Sequence, residues 1–212
     1  MSIETQHADV SDWFSKKTAD VPPAVHDLVR QRWSPRAFSD EPVSDADLKT
    51  VLDAARWAAS SYNEQPWRFI LARKSEGADY DKMLNLLVPG NQAWAKNAPV
   101  LIITAAKRTF SHNGSPNFHA AHDAGAAWAH LALQATALGL YAHGMAGFDR
   151  ERARKELGVP DDYEVVTAIA LGHLGSPEAL PDAVRERELA QRQRKPLSEL
   201  VFKGHWDKPL QF

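Results

Sequence analysis

The chain has 212 residues, of which 44% are hydrophobic and 25% charged; the net charge is -2 and cysteine is absent. That composition suits one globular domain with a sizeable core. It excludes disulfides, thiolate metal sites and thiol nucleophiles, and it offers no whole-molecule field that would draw in nucleic acid. The opening "MSIETQHADVSDWF" has neither a basic n-region nor an apolar core, so no signal peptide is read there. No run of about 20 apolar residues is available to span a membrane. With the lack of cysteine, this leads to an expected location in the cytoplasm.

In chain order, residues 1–20 are polar and read as a loosely held arm. "PPAVHDLVRQR" (22–32) predicts a short helix, with Val25, Leu28 and Val29 at helical spacing. Pro35 ends it, because the residue before a proline is pushed out of helical geometry. Ser44 and Asp47 form a weak capping box ahead of a second helix with a Leu48, Val51, Leu52, Ala55 stripe. Four short apolar runs predict strands at 67–73, 99–106, 140–146 and 163–171. The longest helical pattern, 118–138, is alanine-rich and apolar nearly all round after its histidines. Such a helix is buried on every face, either in the core of a monomer or against a second subunit. "DRERARKEL" (149–157) predicts a charged helix capped by Asp149 and stopped at Gly158. Residues 181–195 are charge-rich. The apolar tail from 196 to 212 is expected to lie on a surface.

Four clusters could carry chemistry. In "RQRWSPRAF", Arg30, Arg32 and Arg36 surround Trp33, Ser34 and a proline turn. Guanidinium forks beside a hydroxyl suit a phosphate or a planar carbonyl group, although a solvated basic turn fits the same spacing. In "SSYNEQPWRF" (60–69), the amides Asn63 and Gln65 stand two apart before a strand. They could recognise a planar hydrogen-bonding ligand or merely satisfy loop backbone. Arg192, Arg194 and Lys195 precede Pro196 and read either as a binding group or as a charged surface. His119 and His122 with Asp123 have the i, i+3 spacing of metal ligands but lack a further firm ligand. Pocket-lining histidines are the plainer reading. There is no Gly-x-Ser-x-Gly, Walker or Gly-x-Gly-x-x-Gly motif.

Taken in order, "RQRWSPRAF", "AASSYNEQPWRF", "GNQAWAKNAPVLII", the alanine-rich helix, "HGMAGFD", "VTAIALGHLG" and "RQRKPLSELV" resemble the FMN-dependent nitroreductase family. The resemblance implies a single α+β domain over residues 1–212, with two layers and a mostly antiparallel central sheet flanked by helices. It implies an obligate homodimer whose residues 196–212 form an arm over the partner, and FMN held between the subunits. It also implies an NAD(P)H-dependent oxidoreductase with a ping-pong cycle acting on nitroaromatic, quinone or similar small acceptors. Enone reduction, dehalogenation, flavin breakdown and non-catalytic FMN binding are the alternatives on the same fold. Carried over by position, Arg32, Trp33, Ser34, Arg192 and Arg194 fall at the phosphate and ribityl chain, and Arg36 at the flavin N1–O2 edge. Ser60, Ser61, Asn63 and Gln65 fall in the loop that reaches the partner's flavin; Asn91 and Gly147 fall beside the ring. No protein nucleophile or general acid is implied, because the flavin carries the chemistry, and neither metal, nucleic acid nor membrane is. Ala146 stands where some relatives have Glu, and the loop 107–118 is short.

Overall fold

The computed structural model describes residues 11–211. Four strands, β1 (Trp67–Arg73), β2 (Val100–Lys107), β3 (Tyr141–Met145) and β4 (Tyr163–Gly172), form one sheet in the order β1-β2-β4-β3. Every pairing in it is antiparallel. The predicted strands are found to within a residue or so; β2 begins after Pro99, which has no N–H to give to a ladder.

β2 explains the layering. Its alternate residues enter two different cores: Val100, Ile102 and Ala106 on one face, Leu101, Ile103 and Ala105 on the other. A strand buried on both faces must be covered on both. On one side lie α3 (Asp45–Arg56) and α6 (Ala120–Ala137), bringing Leu48, Val51, Leu131 and Ala135. On the other lie α4 (Ala78–Leu86), α5 (Pro89–Ala95) and α7 (Arg150–Glu156), bringing Tyr80, Met83, Trp94 and Ala153. The expected two layers are therefore three, helix–sheet–helix.

The caps follow the sequence. Ser44 Oγ accepts from Asp47 N–H at 3.0 Å and Asp149 Oδ1 from Arg152 N–H at 2.9 Å. The helix predicted over 22–32 shrinks to α2 (Asp27–Gln31), because His26 Nδ1 caps it by accepting from Leu28 N–H and the two prolines stay in a turn. None of its residues is buried. The N-terminal arm is also not loose throughout. It carries α1 (Ser11–Ser15), where Trp13 packs edge-on against Trp33 and Phe14 against Tyr141. Residues 1–10 of that arm lie outside the described residues. Among the described residues, no helix is long and apolar enough to cross a membrane.

α6 is buried on the sheet side only. Ala121, Gly125, Ala129 and His130 are exposed on its outer face. After α8 (Asp182–Leu189) the chain runs extended to Pro196, and its tail packs mainly on itself, with Phe202 stacked on Trp206.

Candidate functional site

The sequence-distant arginines meet. Arg192 Nη1 donates to the backbone carbonyls of Lys17 (2.7 Å) and Arg30 (2.9 Å), which ties the segment after α8 to the start of the Arg32 turn. Burial depresses the Arg32 guanidinium, and the charge of Arg194 depresses it further. Arg192 is lowered by burial and then by Arg32 and Arg194. Among the described residues none of these three arginines pairs with a carboxylate. Three mutually repelling cations, two of them partly buried, fit an anion with more than one charge. Ser34 Oγ lies beside them, 3.4 Å from Arg32 Nη1. Arg30 does not join the set, since Asp27 engages it at 3.2 Å.

The turn carrying Ser34 and Arg36 is clamped from two sides. His143, on β3, donates from Nδ1 to the Pro35 carbonyl at 2.7 Å. From α8, the buried Glu188 carboxylate accepts the N–H groups of Arg36 (2.9 and 3.0 Å) and Ala37 (3.0 Å). Beyond the turn, Phe38 bridges to Leu174, and a Cβ on Gly175 would stand 2.5 Å from the Phe38 backbone. Trp33 differs from expectation. Its ring is buried among Trp13, Tyr141 and the Lys17 ammonium, so only its main chain remains between Arg32 and Ser34.

Burial, followed by the charges of Arg36 and Arg32, pushes His143 down to about 4, against the opposing bonds to Pro35 and Ser34. An unfolded histidine protonates near 6.5, so the folded state loses ground as pH falls from about 6.5 to about 4, by about 3 kcal/mol in all. Urea unfolding at pH 7 and pH 4.5 should therefore show a larger pH-dependent loss in the wild type than in His143→Gln. Equal losses in both would remove His143 as the cause.

The amide loop occupies the other edge of the sheet, before β1. It is wound on itself: Tyr62, Asn63 and Gln65 all have positive φ, at 50°, 54° and 51°. Ser60 Oγ accepts from Gln65 N–H, and Gln65 Nε2 donates to the Asn63 carbonyl, both at 3.0 Å. Ser61 N–H donates to the buried Asp123 carboxylate of α6 at 2.9 Å. Glu64 latches the loop 107–118 through Ser111 Oγ at 2.6 Å. Ser60 Oγ and Gln65 Nε2, two of the expected ligand contacts, thus help to hold the loop, and the Asn63 side chain is exposed. Asp123 serves Ser61 and His122, and His119 lies edge-on to His122 at 6.2 Å. Among the described residues no group of three acidic or histidine side chains could hold a metal.

Asn91, from α5, and Gly147, just after β3, meet in the structure. Asn91 Nδ2 donates to the Gly147 carbonyl at 3.0 Å. A Cβ on Gly147 would fall 2.8 Å from that nitrogen and 2.9 Å from Val88 Cγ2, so a larger residue here would have to displace one or both of these side chains.

β1 and β3 are three strand spacings apart, about 14 Å. The amide loop and the clamped turn thus sit by opposite edges of one sheet. Two recesses in the chain, about 760 and 250 Å³, lie beside α7 and the turn after it, and no candidate residue lines either.

A wholly antiparallel β1-β2-β4-β3 sheet with helices on both faces, joined to this arginine turn, defines an α+β nitroreductase fold. The nitroreductase family model matches residues 29–89 and 81–173, and the chain belongs to that family. A protein of Streptomyces coelicolor named for NADH dehydrogenase/NAD(P)H nitroreductase activity is 30% identical over 183 residues, 77% of this chain and 92% of its own. An uncharacterised 15.4 kDa protein of Mycolicibacterium smegmatis is 39% identical over 150 residues, 68% of this chain and 99% of its own. The crystal structure of an oxidoreductase containing FMN superimposes with a TM-score of 0.84 at 42% identity, covering 91% of this chain and 96% of that one. A nitroreductase from Desulfovibrio desulfuricans in complex with FMN gives 0.68 at 27% identity, covering 87% and 99%.

Proposed function

We propose that this chain is an FMN-dependent, NAD(P)H-oxidising reductase of small nitroaromatic, quinone or related acceptors, working as a cytoplasmic homodimer and built as one domain. The observation that carries it is the convergence of Arg32, Arg192 and Arg194 from distant parts of the sequence without a carboxylate between them. A phosphate monoester of nearly two negative charges matches that set. Bound FMN supplies reversible two-electron chemistry that side chains lack.

The residues divide the work. Arg32, Arg192 and Arg194 hold the phosphate, with Ser34 beside them. Arg36 holds a permanent cation at the N1–O2 edge, where electron uptake concentrates negative charge. Asn91 and Gly147 shape the wall below the ring. The Asn63 amide reaches the partner's cofactor, which accords with its loop lying by the opposite edge of the sheet from the arginine turn of its own chain. The exposed outer face of α6 and the apolar arm 196–212 suit the same dimer. The sequence has no Gly-x-Gly-x-x-Gly for a separate dinucleotide site, which favours donor and acceptor taking one site in turn.

The purified protein is expected to be yellow. Anaerobic NADH or NADPH should bleach it, and a quinone or nitroarene should restore the colour. A colourless protein that takes up no added FMN would overturn the reading. Bleaching with no recovery by either acceptor would point to other flavin chemistry.

A further inference from the structure

We infer that Glu188 is a positioning residue for Arg36: by accepting two consecutive backbone N–H groups, it sets the direction from which the Arg36 guanidinium enters the flavin site. This rests on the reading of Arg36 given above. The half-buried side chain of Arg36 makes no hydrogen bond or ion pair among the described residues, so the direction of its backbone is what aims the guanidinium. That backbone lies in a turn outside any helix or ladder, where Pro35 has no N–H of its own to anchor. Glu188 Oε1 takes both Arg36 N–H and Ala37 N–H, each at 3.0 Å, and Oε2 takes Arg36 N–H again at 2.9 Å. Two adjacent amides converging on one oxygen define an orientation that a single bond would leave free to swivel.

A carboxylate with no exposed surface is costly unless neighbours compensate it. Three groups do so here. The amides contribute, and so do the Arg36 charge and the buried Lys17 ammonium, against a burial that drives the Glu188 carboxyl upward. Lys17 also donates to the Ala190 carbonyl just past α8, and its ammonium sits 5.0 Å above the Trp33 ring. Lys17, just after α1, thereby ties the end of α8 to the Trp33 ring, and its charge favours the Glu188 carboxylate that holds the arginine turn. A carboxylate serving only to fill the core would not need its acceptors aimed at the residue beside the cofactor.

The test reads the midpoint potential of bound FMN, with thermal melts of the same samples. Arg36→Ala should lower the potential. Glu188→Ala should lower it in the same direction by roughly half as much or more, and should add nothing in the Arg36→Ala background, since two residues acting through one contact are not additive. Glu188→Gln keeps an oxygen that can serve both amides, so it should recover most of the potential. Should Glu188→Ala fail to fold, Glu188→Asp, which withdraws the carboxylate by one methylene, takes its place in the same cycle. An Arg36→Ala shift with wild-type potential in the Glu188 variants, or shifts that add in the double variant, would overturn the positioning role alone. An unchanged potential in Arg36→Ala would instead remove Arg36 from the flavin edge, and this inference with it.

Discussion

Arg32→Ala combined with Arg194→Ala is expected to raise the dissociation constant for FMN by a factor between about 10² and 10⁴. The range follows from two lost hydrogen bonds to a charged group at about 1.5–3 kcal/mol each. Quenching of flavin fluorescence on titration into the apoprotein measures it. The electrostatics supply a control with the opposite sign. Arg32 and Arg194 are near enough to repel, and the charge of Arg194 lowers Arg32. Removing both relieves that repulsion, so the apoprotein should melt no lower than wild type. A double variant that loses apoprotein stability while keeping its FMN affinity would make the cluster a structural device.

Trp94→Ala should be the most damaging single change to the fold. The indole is 1% exposed, lies stacked on Phe38 at 6.2 Å and approaches the His143 ring at 4.6 Å. Truncating a buried tryptophan costs about 3–5 kcal/mol, which for a domain of this size lowers Tm by roughly 6–20 °C. Because His143 and Phe38 both bear on the arginine turn, FMN release should accompany the loss at temperatures where the variant is still folded. Trp206 gives the comparison. It is 81% exposed in the single chain, so Trp206→Ala should cost under about 0.5 kcal/mol unless a partner covers it. Differential scanning fluorimetry of both variants at low and high protein concentration tells these cases apart.

The strands could be read from the sequence because each is a short apolar run between turn residues, and the α6 pattern because its apolar run is long. The same periodicity was present in α4, where Tyr80, Met83 and Leu86 recur every third residue. It is easily passed over, since Asp79, Asp81, Lys82 and Asn85 interrupt it. The arginines could be singled out by type, and their meeting follows from the fold. Glu188 could not be singled out. It sits in a helix whose other charges face water, and nothing in "DAVREREL" separates the one carboxylate that turns inward. Lys17 is hidden in the same way within a polar arm. His143 did leave a sign, an imidazole in a short strand whose other side chains are Tyr141, Ala142 and Met145. Its task depends on Pro35, 108 positions away. The third layer was implicit in β2, whose buried run, polar only at Thr104 before Lys107, needs cover on both faces.

The left-handed residues of the amide loop have a consequence for anyone engineering this enzyme. Tyr62, Asn63 and Gln65 hold conformations that cost side-chain-bearing residues about 1–3 kcal/mol each and that glycine adopts freely. A selection for heat resistance alone would be drawn to glycine at these positions, and it would find real gains in melting temperature. Glycine at 63 would remove the exposed amide there, and glycine at 62 or 65 would slacken the winding around it. Thermostable libraries of this protein are therefore best sorted on retained colour before they are sorted on temperature.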